Sequence, residues 1–147
     1  MKKISIIIPC HNEQQGIEKV IRDIPKKFLR RIGFESEVIV VNNRSTDLTQ
    51  EIIDNYRVKK IFESNKGKGH AIRAGFMAVS PDTDYIVMMD GDHTYKPKEI
   101  PRMVEPLASN FCDVVIGSRL GGKMKRGAFK FQNRLANWSF TFLVRIL

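Results

Sequence analysis

The segment ISIIIPCHNE, residues 4–13, joins an apolar run to a short polar loop. Residues 4–8 predict a β-strand of a parallel sheet, because strands covered on both faces are apolar along their whole length. The polar loop that follows lies at the carboxyl end of this strand. The same unit, a short apolar strand and then a polar loop, recurs along the chain and predicts the fold.

Four more short strands are predicted, at residues 38–41, 58–62, 85–89 and 114–116. The segments between them carry apolar residues at three- and four-residue intervals, which is typical of amphipathic helices. The predicted helices start near residue 13 with a break at Pro25, run from Ser45 or Thr46 to Tyr56, cover 71–79, and extend from Pro97 to about Ser109. Phe28 and Leu48 are expected to face the sheet. Alternating strands and helices predict an α/β fold, with an open, mainly parallel sheet and helices on both faces.

Each predicted strand ends in a polar loop. The loops are PCHNE at 9–13, NNRSTD at 42–47, SNKGKG at 64–69, DGDHTY at 90–95 and GSR at 117–119. Ligands of open α/β sheets bind beyond the carboxyl ends of the strands. The functional residues are therefore expected in these five loops.

Asp90 and Asp92 flank Gly91 directly after an apolar strand. Two carboxylates held a few ångströms apart either share a proton or bind a cation. Oxygen ligands suit Mg²⁺ or Mn²⁺, which leave coordination positions to substrate phosphates. A solvated turn is the alternative for so short a motif, but its place after a buried strand favours a metal site.

The loop NKGKGHA, residues 65–71, places glycines on both sides of Lys68 just before a helix. Backbone N–H groups and an ammonium group there could face an anion, with a flexible basic turn as the alternative. The spacings of the Walker A loop and of the GxGxxG dinucleotide motif are absent from the sequence, so NAD binding has no support. Arg119 is either directed at phosphate or solvated, and His93, beside Asp92, is the histidine that merits a test.

Charge is unevenly distributed along the 147 residues, whose net charge is +9. Residues 114–147 contain seven basic and no acidic residues, which leaves 18 basic and 16 acidic residues in the first 113. This concentration favours a local anionic partner such as phosphate, nucleic acid or a lipid headgroup. Cys10 and Cys112 lack the spacing of metal ligands, so both are predicted to be reduced thiols. The sequence shows neither a signal peptide nor an apolar run long enough for a membrane span.

Taken in order, the motifs IIIPCHNE, VIVVNNRSTD, NKGKGHAIRAG, MDGDHTYKP and VVIGSR resemble the nucleotide-sugar-binding half of a family 2 glycosyltransferase with the GT-A fold. The nearest resemblance is to the polyprenyl-phosphate glycosyltransferases of the dolichol-phosphate mannose synthase type. It covers residues 3–120. Five ordered motifs make this resemblance far more specific than any one of them.

The resemblance implies a role for each loop. Asp90 and Asp92 would bind a divalent ion, Mg²⁺ or Mn²⁺, on the diphosphate of a nucleoside diphosphate sugar of the GDP-mannose or UDP-glucose class. The implied nucleotide-binding residues are Pro9, His11, Glu13, Asn43, Lys68, Gly69, Asp90 and Gly91. The implied catalytic residues are Asp92, Lys68 and Arg119.

Two departures from the family pattern stand out. Asn42 and Asn43 occupy positions where relatives usually have one or two aspartates. An amide oxygen can still accept a hydrogen bond from a nucleobase N–H, but it lacks the charge-assisted component of about 1 kcal/mol. Family members also continue well beyond this point, so the chain is expected to be a truncated form, with a nucleotide-sugar-binding core at 1–120 and a basic linker with an amphipathic helix at 121–147.

The C-terminal segment, residues 129–147, has an apolar stripe at helical spacing, formed by Phe131, Leu135, Trp138, Phe142 and Ile146. A basic amphipathic helix with Trp and Phe can lie in a membrane interface and attract anionic lipid. Packing on its own sheet or on a second subunit is the alternative. The predicted location is the cytoplasm, either free or as a peripheral protein on the cytoplasmic face of a membrane.

The resemblance predicts a metal-dependent glycosyltransferase that transfers a sugar, with inversion, to a polyprenyl (dolichyl-type) phosphate. Such a phosphate is already anionic near neutral pH, so the acceptor needs no strong general base. One alternative is a catalytically incomplete protein that binds nucleotide sugar or a membrane. A nucleic-acid-binding domain ranks lowest, because the sequence has no helix-turn-helix, zinc or RNP-like signature.

Overall fold

The computed structural model describes residues 1–117. Its strands are β1 (Lys2–Cys10), β2 (Phe34–Asn42), β3 (Lys59–Phe62) and β4 (Tyr85–Met88). Its helices are α1 (Ile17–Asp23), α2 (Lys26–Arg31), α3 (Thr49–Asp54), α4 (Lys68–Met77) and α5 (Ile100–Ala108), with a 3₁₀ turn at Pro97–Glu99 before α5. All of them lie in one compact unit, Met1–Val115. Arg119 and the predicted C-terminal helix lie outside the described residues.

The four strands form one parallel sheet in the order β3-β2-β1-β4, which confirms the predicted α/β fold. In its register Ile6 lies opposite Val38 on one side and Val87 on the other. The chain builds outward from β1 through β2 to β3, and then crosses back to place β4 on the other side of β1. Such a reversal of strand order opens a crevice at the carboxyl edge, where ligands of this class of sheet bind.

Helices cover both faces of the sheet, as predicted. Ile4, Ile6 and Ile8 of β1 point into the larger core, which includes residues of α1, α2, α3 and α5. Ile7 points the opposite way into a smaller core under α4, beside Ile39. All of these isoleucines are fully buried. Because successive strand side chains alternate between faces, two covered faces require the apolar run seen in the sequence.

Several local predictions are wrong. Residues 114–116 form no strand, and Val114 is 72% exposed, because a strand needs a paired backbone and a packed side and these residues have neither within the described part of the chain. Phe28 is exposed because the helix breaks at Pro25, between α1 and α2. Phe28 therefore lies on α2 and does not continue the apolar face of α1. Leu48 is exposed because α3 begins only at Thr49.

Ser45 and Thr46 do not cap α3, whose first turn has no side-chain cap. The hydroxyl of Ser45 instead accepts a hydrogen bond from the N–H of Asn12, 3.0 Å away. The polar residues of this loop thus bind the neighbouring loop rather than their own helix. Among residues 1–117, none of the helices has the length and apolar content needed to cross a lipid bilayer.

Candidate functional site

A pocket of about 330 Å³ opens at the carboxyl edge of the sheet. It is lined by the end of β1, by the loops after all four strands and by the start of α4: Pro9, Cys10, His11, Glu13, Asn43, Lys66, Gly67, Lys68, Ala71, Asp90, Gly91 and Asp92. The structure therefore brings together every site residue predicted within residues 1–117 except Gly69. Gly69 lies on α4 with open space around it.

The loops after β1 and β2 are joined by direct hydrogen bonds. The side-chain oxygen of Asn12 accepts from the N–H of Thr46 at 2.8 Å, and the N–H of Glu13 donates to the hydroxyl of Thr49 at 2.8 Å. Thr49 is completely buried, and Asn12 has a φ of 57°. These bonds fix the backbone of residues 11–14, which forms one wall of the pocket.

Asn43 joins three loops beneath the pocket and is 4% exposed. Its Nδ2 donates to the carbonyl oxygens of Glu63 (3.2 Å) and Asn65 (2.6 Å), and its Oδ1 accepts from the N–H of Gly67 (2.7 Å). Its backbone carbonyl lies 2.7 Å from Nδ1 of His11. A carbonyl oxygen only accepts, so Nδ1 of His11 carries a hydrogen.

The two aspartates after β4 are both oriented by neighbouring groups. Asp90 Oδ1 accepts a hydrogen bond from Lys68 Nζ at 2.6 Å. Asp92 accepts from the backbone N–H of Thr94 at 2.8 Å and from the hydroxyl of Thr94 at 2.7 Å. The carboxylate pair therefore borders the same pocket as Lys68.

Two glycines allow the aspartate loop to lie close to β1 and α1. A Cβ atom on Gly91 would lie 3.0 Å from the Cβ of Cys10. A Cβ atom on Gly16 would lie 2.7 Å from both the carbonyl carbon of Asp92 and the carbonyl oxygen of Gly91. A side chain at either position would displace the carboxylates.

His93 anchors the aspartate loop from behind. It adopts a φ of 61°, and its Nε2 lies 2.9 Å from Oδ2 of Asp23 at the end of α1. The hydrogen bond from His93 holds the pKa of Asp23 below its usual value. His93 is not among the pocket-lining residues, so its contacts indicate a structural role in the loop.

Several carboxylates are grouped around Glu13 in the pocket. Burial raises the pKa of Glu13, and the nearby carboxylates of Asp92, Asp47 and Asp90 raise it further. Within residues 1–117, no three histidine, cysteine or acidic side chains are grouped to hold a metal by themselves. Mg²⁺ and Mn²⁺ usually take only one or two carboxylates and complete their coordination with phosphates and water. The carboxylate oxygens thus fit a hard divalent ion that would complete its coordination with a phosphate ligand.

Sequence reasoning did not single out several residues of this site, among them Lys66 and Gly16. Lys66 lines the pocket beside Lys68, and its signal was present in the alternating lysines and glycines of residues 66–69. Gly16 controls the position of the aspartate loop by close packing. It carries no sequence signal, because its partner atoms belong to a backbone more than seventy residues away.

Comparison with known proteins identifies the family. Residues 5–146 match the family described as Glycosyl transferase family 2. The chain belongs to glycosyl transferase family 2. The predicted family is thus confirmed, and with it the class of enzyme, a transferase.

Curated proteins resemble this chain over most of its length. Protein RfbJ of Shigella flexneri is 39% identical over 116 residues, which are 79% of this chain and 84% of RfbJ. The dolichol-phosphate mannosyltransferase of Pyrococcus furiosus is 35% identical over 134 residues, which are 86% of this chain and 36% of that protein. The predicted resemblance to the dolichol-phosphate type is confirmed, although the chain spans only about a third of that relative.

A solved structure supports the GT-A fold of this family 2 chain. Glucosyl-3-phosphoglycerate synthase from Mycobacterium tuberculosis, crystallised with Mn²⁺, uridine diphosphate and phosphoglyceric acid, superposes with a TM-score of 0.59. The two sequences are 28% identical, and the match covers 72% of this chain and 39% of the synthase. The synthase binds a divalent ion together with a nucleoside diphosphate.

Proposed function

We propose that this family 2 chain transfers a sugar from a nucleoside diphosphate sugar to a polyprenyl phosphate. The observation that carries the proposal is the single pocket that combines the pair Asp90 and Asp92 with Lys66 and Lys68 at the carboxyl edge of the sheet. A diphosphate needs cations, and a divalent cation needs carboxylates, so both requirements meet in one place. The dolichol-phosphate relative supports the acceptor class, and the synthase structure supports the donor class.

The donor would lie across the loops that line the pocket. Pro9, His11 and Glu13 would hold the base and ribose, because their loop is fixed by hydrogen bonds to the loop after β2. Lys68, at the N-terminus of α4, would face the diphosphate, where the helix dipole also favours an anion. The donor's base and sugar are proposed only as far as the GDP-mannose or UDP-glucose class.

Asp90 and Asp92 would hold the divalent ion, Mg²⁺ or Mn²⁺. When bound, the ion neutralises negative charge that grows on the departing diphosphate. Lys68 would assist from its position 2.6 Å from Asp90, and Arg119 is proposed as a second cation for the same phosphates. Asp92 would be held in place for this role by its two hydrogen bonds to Thr94.

A polyprenyl phosphate suits this site as an acceptor. The second pKa of a phosphate monoester is about 6, so its oxygen is a competent nucleophile near neutral pH without a general base. A lipid acceptor also requires approach to a membrane. We propose that the basic and apolar sequence at 129–147 supports that approach, or else joins two copies of the chain.

Binding of the donor is tested by calorimetry with UDP and GDP, each with and without Mn²⁺. We expect tight binding of one nucleotide only when Mn²⁺ is present, and loss of that binding in Asp92→Ala. The matched control is Asp82→Ala, which removes an exposed aspartate at the amino edge of the sheet. Equal nucleotide binding by wild type and Asp92→Ala would contradict the metal assignment.

Transfer is tested with radiolabelled nucleotide sugars and a polyprenyl phosphate in detergent or vesicles. Label that becomes extractable into organic solvent, in wild type and not in Asp92→Ala, supports the proposed reaction. If the protein binds nucleotide but transfers no sugar under any of these conditions, the proposed transferase activity is wrong and the protein is a nucleotide-sugar-binding protein.

A further inference from the structure

We propose that Asn43 is a positioning residue, which holds the lysine-bearing loop at residues 63–68 and does not read the nucleobase. This inference rests on the proposed function, because the task given to the loop is to bind the diphosphate of the donor. It assigns to an amide a role that a carboxylate at the same place could not perform.

The side-chain amide of Asn43 bonds only to backbone groups, through its oxygen and both of its N–H groups. Both donors are directed at carbonyl oxygens, of Glu63 and Asn65, and the oxygen accepts from the N–H of Gly67. Rotating the amide by 180° would set its oxygen against two carbonyl oxygens and its NH₂ against an N–H. The three partners therefore fix the orientation of the amide without ambiguity.

The loop that Asn43 holds needs an external support. Gly67 has a φ of 136°, a backbone conformation that residues with a side chain rarely adopt, and it directly precedes α4. Lys66 and Lys68, on either side of it, both line the pocket. Holding Asn65 and Gly67 from beneath therefore sets the direction in which the two ammonium groups leave the backbone.

An aspartate at position 43 could not hold the loop in this way. A carboxylate has no hydrogen to donate, so one of its oxygens would face the carbonyl oxygen of Asn65 across the present 2.6 Å. Asn42 provides the contrast within the same loop. It is also buried, but its Nδ2 donates to the side chain of Gln50 at 2.6 Å and its Oδ1 accepts from the N–H of Ser45 at 2.9 Å, so its side-chain hydrogen bonds go to residues outside 63–68.

The test uses inorganic pyrophosphate with Mn²⁺, a probe that has no base and no ribose. We expect Asn43→Ala and Asn43→Asp to bind pyrophosphate about tenfold more weakly than wild type, because the lysines lose their support. Asn42→Ala is the matched control and should stay within about twofold of wild type, because the side chain of Asn42 does not bond to the lysine-bearing loop. If Asn43 reads the base, Asn43→Ala will bind pyrophosphate as wild type does and lose affinity only for nucleotides, and that result would overturn the inference.

Amide hydrogen exchange supplies a test that needs no ligand. We expect the amides of residues 63–68 to exchange faster in Asn43→Ala than in Asn42→Ala, while β1 and β2 stay equally protected in both. If the Asn43 variants do not fold, the exchange rate of the Gly67 amide in wild type tests the role of Asn43, because that amide donates to the buried side-chain oxygen of Asn43. Exchange of that amide at the rate of an open loop would refute the role of Asn43. If wild type binds neither pyrophosphate nor nucleotide, the proposed function fails, and the exchange experiment still judges Asn43.

Discussion

Replacing Gly16 by alanine isolates the packing that positions the metal-binding loop. Gly16 is buried, and its φ of −108° and ψ of −39° are open to alanine, so the backbone itself does not oppose the change. The added methyl would lie 2.7 Å from the carbonyl carbon of Asp92 and 2.8 Å from its Cα. These are backbone atoms, which cannot move aside by changing a rotamer.

The size of the effect follows from these distances. Carbon atoms in ordinary contact lie about 3.5–4.0 Å apart, so the start of α1 and the aspartate loop must separate by about 0.8 Å. Overpacking of this kind costs about 1–3 kcal/mol, which for a domain of this size lowers the Tm by roughly 4–12 °C. A displacement of that order at Asp92 should also weaken metal-dependent nucleotide binding about tenfold or more.

The assay is a thermal melt of each variant, followed by calorimetry with the nucleotide that wild type binds. Gly69→Ala is the control for the melt, because nothing lies within 4 Å of its added Cβ and alanine favours a helix. It should raise the free energy of unfolding by about 0.5–1 kcal/mol. A Gly16→Ala protein as stable as wild type, with unchanged nucleotide binding, would refute the packing argument.

Two further predictions concern titratable groups, the buried Cys10 and the half-buried Glu37. Burial, together with the charges of nearby carboxylates, raises the pKa of Cys10 to about 12. A thiol reagent at mildly alkaline pH should therefore modify only the half-buried Cys112 in the native protein, and should modify both cysteines in denaturant. Rapid modification of both thiols without denaturant would contradict this. Burial acts to raise the pKa of Glu37, but hydrogen bonds from two serine side chains outweigh it and keep the pKa below its ordinary value of 4.5. The stability due to ionised Glu37 is therefore present above that value and is lost as the pH falls through the lowered pKa. We expect Glu37→Gln to flatten the acid side of a plot of unfolding free energy against pH. Glu35→Gln, at an exposed position of the same strand, should leave that plot unchanged.

The sheet could be predicted from the sequence because burial on two faces leaves an unusual signature. Apart from Ser5, residues 4–8 and 38–41 are apolar for a physical reason, since alternate side chains enter different cores. Residues 114–116 show the limit of that signature. Three apolar residues have strand propensity, but their state depends on a pairing partner that their own sequence does not specify.

The sequence predicted which side chains form the candidate site, but not the contacts with backbone atoms that position them. Asp90, Asp92 and Lys68 could be found because carboxylates and lysines at strand ends point to metal and phosphate chemistry. The positions of these groups depend on Gly16 and on the amide of Asn43, whose partners are backbone atoms of distant segments. A motif records which groups are present, whereas contacts of this kind decide where the groups are held.

Net charge was a poor guide to the electrostatics of the pocket. The basic excess of the chain lies in residues 114–147, and the first 113 residues are nearly neutral, yet the pocket is built from the nearly neutral part. There burial and the nearby carboxylates raise the pKa of Glu13, while Lys68 lies 2.6 Å from Asp90, so charges of both signs are concentrated within one loop cluster. A site for a metal and a diphosphate requires this arrangement, because each ligand needs the opposite sign of charge at a separate point. Local pairing of charges, rather than their sum, is therefore what equips this edge of the sheet for the proposed reaction.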